Sequence, residues 1–368
     1  MILELHLLQS FPVSNLNRDD VGQPKTATFG GHTRARISSQ SLKRAARLLF
    51  NDHGLDTDET GVRTKRLVDS TTDLLVTRGR EESQAREIVI AALGHLGFGV
   101  DAGKGLTQYL LFVGRSSIEH LAEYCTANWE AMAKIEKKGA KAKPDKTTSA
   151  EAKRILDGSR AVDVALFGRM IADNKDFNVD AASQVAHALS THAVVNEFDF
   201  YTAVDDLKPT EDSGADMIGT VDFNSACYYR YANVDLAQLA RNLGDDTQLA
   251  TRGVTAWLHA FVNAVPGGKQ NSTAARTMPD TLLGVVRDTG AWNLANAFLK
   301  PVTDIDLMAA STDRLTEHFT RLRDFYGSTG LRAVVGASVT GALKHLPEGE
   351  IVTGVDEFTD RLLTAATA

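Results

Sequence analysis

Cysteine is scarce in this chain, with two residues in 368, Cys125 and Cys227. That excludes a disulfide framework and a cysteine-built metal motif, and it fits a reducing compartment. Long apolar runs are also missing. Residues 1–8 are apolar but interrupted by Glu4 and His6, and a membrane span needs about 20 such residues. Neither a membrane segment nor a signal peptide is expected, so the expected compartment is the cytoplasm. An overall positive charge is lacking too: 40 Lys and Arg stand against 47 Asp and Glu, for a net charge of −7. This excludes a generally basic nucleic-acid binder. No internal repeat is visible. A glycine-rich turn with a lysine, residues 266–270, is no ATPase phosphate loop. It has no glycine at position 263 and no Ser or Thr after Lys269. His187 and His192 stand five apart, the wrong helical spacing for two metal ligands on one face, and both read as structural histidines.

Against this acidic background one stretch stands out. Residues 17–47 read NRDDVGQPKTATFGGHTRARISSQSLKRAAR. They carry seven cations (Arg18, Lys25, Arg34, Arg36, Lys43, Arg44, Arg47) and two acids (Asp19, Asp20), a local charge of +5. A basic island on an acidic protein is the footprint of a polyanion site. The pattern inside it is specific. Phe29-Gly30-Gly31 signals a turn. Residues 32–38 alternate, with Arg34, Arg36 and Ser38 on one side and Ala35 and Ile37 on the other, as in a half-buried strand with a basic face. Ser38-Ser39 then reads as a helix N-cap. Leu42, Ala45, Ala46 and Leu49 form the buried stripe, while Gln40, Lys43 and Arg47 share another face. Free N–H groups at the helix start, two hydroxyls and nearby cations suit a phosphate.

The whole chain, 43% hydrophobic over 368 residues, is long enough for two or three domains or one domain with large insertions. Residues 2–8 read as a strand buried on both faces. Residues 15–22 form a polar loop in which Asp19 and Asp20 are turn formers, whereas Arg18 is free to reach an anion. Residues 63–75, 82–96 and 116–135 read as helices, and 107–113 as a short strand. The lysines between Lys134 and Lys146 mark an exposed loop, with Lys137, Lys138 and Lys141 as tentative DNA contacts. Residues 182–189 read as an Ala-rich helix. Residues 198–204 and 220–232 read as two strands of a hairpin with a long loop. Tyr228, Tyr229 and Tyr231 read as sheet packing. Residues 311–326 and 355–366 are closing helices.

Several of these segments resemble one family. LNRDD, PK, FGG and RARISSQSLKRA in residues 16–45 resemble the CasC-type backbone subunit of the type I-E CRISPR Cascade effector complex. So do RAVDVALFGRM at 160–170, YTAVDDL at 201–207, YYRYANV at 228–234, PGGKQ at 266–270 and NLANAFLKP at 293–301. The resemblance implies an α+β protein of the RAMP superfamily: an RRM-like (ferredoxin-like) palm, a helical fingers insertion and a β-hairpin thumb. The palm would take residues 1–56, 182–194 and 226–368, the fingers 57–181 and the thumb 195–225. It implies guide-RNA contacts at Arg18, Lys25, Ser38, Gln40, Lys43, Arg47 and Lys269. It also implies a wedge built from Met170, Thr202 and Ile218, with Met217 as the rival of Ile218. Phe200 and Tyr201 are candidates for base stacking.

Two function classes follow. The first is a non-catalytic scaffold without cofactor or metal. Its copies would polymerise head to tail along CRISPR RNA, hold its backbone and leave the bases free for target DNA. Other Cascade subunits and a separate helicase-nuclease would be its partners. Such binding needs cations, hydroxyls and N–H groups but no base-reading code. The second is a metal-dependent ribonuclease using Asp19, Asp20, Asp205 or Asp206, since clustered carboxylates attract hard cations.

Overall fold

The computed structural model describes residues 1–138, 146–157, 160–171, 175–203, 206 and 217–367. The chain forms two compact units of α+β character. The first is assembled from Met1–His53, Gln184–Asp235 and Val254–Ala368, the second from Gly54–Ser183 and Leu236–Gly253. The segment Leu236–Gly253 therefore groups with the second unit, whereas the sequence reading ran the last palm part unbroken from residue 226.

The first unit is built on one sheet. Its centre is β1 (Ile2–Ser14), paired antiparallel with the strands Met217–Asp235 and Thr281–Arg287. A central strand has no wet edge, and Leu3, Leu5, Leu7 and Leu8 are all buried, each contributing about 2 kcal/mol. Glu4 and His6, two of the buried polar residues of β1, both have partners. Glu4 accepts the Tyr231 hydroxyl at 2.9 Å and the Trp292 amide at 2.6 Å, and it pairs with Arg287 at 2.6 Å. The Nδ1 of His6 lies 2.9 Å from the Tyr229 hydroxyl. Buried polar groups persist only with such partners. Outward from Met217–Asp235 come the short strand Ala188–Ser190, then β3 (His32–Ile37) and β2 (Thr26–Phe29). On the other side, Thr281–Arg287 is followed by Leu331–Ser338 and Glu350–Ile351, the last pair parallel.

Both faces of this sheet are covered. The helix Leu307–Tyr326 brings Leu315 and Phe319 onto Leu8, Tyr229, Tyr231, Leu283 and Val285. The tyrosines thus serve packing, as expected. Gly284 points the other way, where an added Cβ would lie 2.4 Å from Leu362. The glycine lets the helix Val355–Thr367 approach the strand.

The second unit is mainly helical. Leu67–Thr77, Glu82–His95, Ser116–Ala127, Trp129–Lys138 and Lys146–Ile155 surround a core including Leu75, Ile88, Leu93 and Leu121. A two-stranded sheet pairs Gly61–Thr64 with Leu111–Gly114.

Four local expectations are corrected. Residues 182–189 hold no helix: Ser183–Val185 and Ala188–Ser190 are strands. Alanine tolerates either state, and pairing of Leu189 with both Arg36 and Tyr229 decides it. The helix expected over 116–135 breaks at Asn128, whose side-chain amide donates to the Tyr124 carbonyl at 3.0 Å and closes the first segment. The helix expected from residue 63 begins at Leu67, because residues 61–64 are claimed by the small sheet. The strand expected over 107–113 is split in two: Leu106–Thr107 pairs with Val100–Asp101, and Leu111–Gly114 pairs with Gly61–Thr64.

Candidate nucleic-acid interface

The basic stretch folds as a two-strand ribbon running into a helix. Gly30 and Gly31 both take positive φ, 61° and 79°, and join Phe29 to His32 in the two-residue turn that suits a twisted hairpin. After β3 the chain enters α1 (Ser39–Arg47). Ser38 is the N-cap, in extended conformation, and its hydroxyl accepts the Ser41 amide at 3.3 Å. Leu42 and Ala46 are buried, and Leu42 packs with Ala35, Ile37, Phe11 and Tyr228. Gln40, Lys43 and Arg47 lie along another face, with Gln40 exposed and both cations half-buried.

A loop from the end of β1 is laced to this junction through Asn17. Its side-chain oxygen accepts the Ser38 amide at 2.8 Å, and its carbonyl accepts the Lys25 amide at 2.9 Å. The Lys25 carbonyl accepts the Arg36 amide at 2.8 Å. Arg18 is exposed and bridges to Pro24. Asp19 serves the turn: one carboxylate oxygen accepts the Val21 and Gln23 amides at 3.0 and 2.9 Å. Asp20 is exposed.

Lys269 joins the same frame from far along the chain. Gly268 lies so close to the loop that an added Cβ would sit 2.3 Å from the Leu16 carbonyl oxygen. Lys269 itself is in the left-handed region, φ 52°, and opens the short helix Gln270–Thr273. Gln270 ties the turn together by donating to the carbonyls of Pro266 and Ala275 at 2.9 and 3.2 Å. Backbone contacts around Asn15–Asn17 thus gather Arg18, Lys25, Ser38 and Lys269, and α1 extends the surface through Gln40, Lys43 and Arg47.

Two features of the stretch differ from the sequence reading. Arg34 is no part of an exposed basic face; it is 0% exposed. Its guanidinium donates to the carbonyls of Ser190 at 2.9 Å, Phe298 at 2.7 Å and Leu299 at 3.4 Å. The last two close the 3-10 helix Leu294–Phe298, where a cation compensates unpaired carbonyls. The helix start is also less open than expected. The amides of Ser38, Ser39 and Ser41 are taken by Asn17, His187 and Ser38.

His187, read from the sequence as a structural histidine, is one, and its place beside this helix start is what sequence reasoning missed. It is exposed, it precedes Ala188, and Ala188 pairs with Ile37. Its Nδ1 accepts the Ser39 amide at 2.9 Å. Partial burial, then the charges of Arg36 and Lys25, lower its proton affinity. Its signal in sequence was hidden, because 148 residues separate it from Ser39.

The wedge candidates lie elsewhere. Glu197–Ala203 pairs antiparallel with the start of Met217–Asp235, and every residue of Glu197–Ala203 is exposed. Thr202 stands directly opposite Ile218, and Phe200 opposite Thr220 on the same face. Tyr201 opposes Gly219, and Met217 opposes Ala203, on the other face. Phe200 and Ile218 are 62% and 63% exposed. In the second unit Met170 is 84% exposed. It follows Arg169, which is anchored by the carbonyls of Phe177, Leu156 and Phe112 at 2.8, 2.8 and 3.3 Å. The side chains of Lys137 and Lys138, and all of Lys141 and Asp205, lie outside the described residues. Asp206 is an exposed turn residue. Among the described residues no group of three or more His, Cys, Asp or Glu is placed to hold a metal, and no helix is long and apolar enough to cross a membrane.

Comparison with known proteins fits this arrangement. A family model described as CT1975-like protein matches residues 3–360. A chain of a solved "CRISPR RNA-guided surveillance complex, pre-nicking" is 32% identical, with a TM-score of 0.91 and 100% of both chains covered. A chain of another "CRISPR RNA-guided surveillance complex" is 27% identical, with a TM-score of 0.77, covering 99% of this chain and 100% of that one. No curated protein sequence matches. The chain belongs to the CT1975-like family, the CasC-type backbone subunits of the CRISPR Cascade complex that its sequence resembles.

Proposed function

We propose that the chain is a non-catalytic, guide-RNA-binding backbone subunit of a type I-E Cascade complex acting in antiviral defence in the cytoplasm. In this reading the first unit's main sheet is the RRM-like palm, the pair Glu197–Ala203 and Met217–Asp235 starts the thumb, and the helical unit is the fingers. Copies join head to tail along one CRISPR RNA, as a heterologous surface allows. Arg18, Lys25, Ser38, Gln40, Lys43, Arg47 and Lys269 hold phosphates, and the bases stay available to target DNA. Other Cascade subunits complete the particle, and a separate helicase-nuclease cuts.

The observation that carries this reading is the frame around Asn17. It draws cations from three places in the chain onto one surface of an otherwise acidic protein. Cations, hydroxyls and N–H groups of this kind are what backbone holding needs. Asp19, the best-placed acid beside it, spends its carboxylate on two backbone amides, which argues against the ribonuclease alternative. A thumb wedge is supported by the Thr202–Ile218 pair, two small or apolar residues on one exposed face.

The test is co-expression with CRISPR RNA, followed by sizing and RNA titration at several salt concentrations. The wild type should form RNA-containing oligomers. Lys43→Ala with Arg47→Ala should weaken binding equally for unrelated guides and lower the salt slope by about one unit per lost contact. A loss that depended on guide sequence would contradict backbone holding. Magnesium-dependent cleavage of the bound RNA, abolished by Asp206→Asn, would replace the scaffold with the nuclease.

A further inference from the structure

The imidazole of His187 is held in one tautomer by the backbone. Because Nδ1 accepts the Ser39 amide at 2.9 Å, the ring proton of the neutral form must be on Nε2. The ring is exposed, and the strand that begins at the next residue anchors its backbone through the Ile37–Ala188 pairing. Lys25 and Arg36 are close enough to act on it electrostatically. A neutral N–H donor therefore stands among the cations, at the mouth of a helix whose nearest amides are already used.

We propose that His187 is itself an RNA contact, its Nε2–H donating to a phosphate oxygen of the guide backbone. This rests on the RNA-binding reading above. The imidazole would relay the helix start: it consumes the Ser39 amide on one side and presents a donor on the other. It would add directional hydrogen bonding where Lys25, Lys43 and Arg47 supply charge. Such a contact differs from a lysine in one measurable way. A neutral donor displaces no counterion, so it adds affinity without adding salt dependence.

Two substitutions separate the contact from a plain helix cap. The side-chain oxygen of His187→Asn can replace Nδ1 and keep the Ser39 amide partnered, but it has no donor at the outer position. The amide nitrogen of His187→Gln can reach the outer position. The full chain with CRISPR RNA is titrated at pH 8 over a range of salt, with thermal unfolding of each variant as the folding check. His187→Asn should unfold at the wild-type temperature yet bind RNA about tenfold more weakly, with an unchanged salt slope. His187→Gln should recover most of the affinity. Wild-type affinity in His187→Asn would reduce His187 to a cap and overturn the proposal, and so would a loss accompanied by a lower slope. Failure of the wild type itself to bind RNA would instead overturn the function proposed for the whole surface.

Discussion

Asn17 holds the Ser38 amide on its side-chain oxygen at 2.8 Å and the Lys25 amide on its carbonyl at 2.9 Å. One residue thus clamps the cation loop to the point where β3 becomes α1. Asn17→Ala would leave the Ser38 amide without its acceptor, at a cost of about 1–3 kcal/mol. Urea unfolding should register that loss. RNA affinity should fall by the same factor for two unrelated guides, since no base contact is touched. Unchanged affinity at reduced stability would mean that the clamp is structural only.

Gly267 and Gly268 make a paired test of the Lys269 turn. A Cβ at Gly268 would press on the Leu16 carbonyl at 2.3 Å, whereas a Cβ at Gly267 meets nothing within 4 Å. Gly268→Ala should weaken RNA binding about as much as Lys269→Ala, and Gly267→Ala should not. Equal behaviour of the two glycine variants would sever Lys269 from the loop at Leu16.

The hairpin register separates two rival wedge residues. Ile218 shares a face with Thr202 and Phe200, and Met217 lies on the opposite face. In assembled complexes Ile218→Asp should therefore disturb target-DNA capture while leaving guide binding intact, and Met217→Asp should disturb it less. Chemical footprinting of the bound target should show periodic distorted positions that Ile218→Asp blurs. A uniform footprint in the wild type would leave the hairpin as a clasp between subunits.

His6 predicts an acid limit for the fold. Burial, with a smaller push from Arg287, lowers its pKa from 6.5 to about 3. The unfolded chain therefore binds the proton more readily. The stability contribution of neutral His6 is complete above pH 6.5 and is lost as pH falls from 6.5 towards 3. Between those limits each pH unit removes about 1.4 kcal/mol. Urea midpoints at pH 7, 6 and 5 should fall more steeply for the wild type than for His6→Gln. Parallel slopes would show that His6 is not the group responsible.

Much of this surface was legible because its signals are local. The Gly30-Gly31 turn, the alternation in β3, the Ser38 cap and the Leu42 and Ala46 stripe are all set by residues within a few positions of one another. What was not legible depends on pairing at long range. Arg34 alternates with Ala35 like any exposed strand cation, and carbonyls at 190, 298 and 299 turn it inward. Ala188 and Leu189 carry no strong strand preference until β3 and Tyr229 flank them. His187 read as a structural histidine, but its place in the site stayed hidden because its partner amide lies 148 residues earlier.

The dispersed origin of the interface has a consequence for synthesis. The cations of residues 17–47 leave the ribosome before their partners, and Ser39 meets its imidazole only after residue 187 has emerged. The loop at Leu16 meets its glycine only after residue 268, and Arg34 finds its carbonyls only after residue 299. A nascent chain therefore carries the charge long before it carries the frame that aims it, since segments of one unit fold together once all are present. Under the proposed function, loading of RNA onto a correctly shaped surface is deferred until residue 299 has emerged.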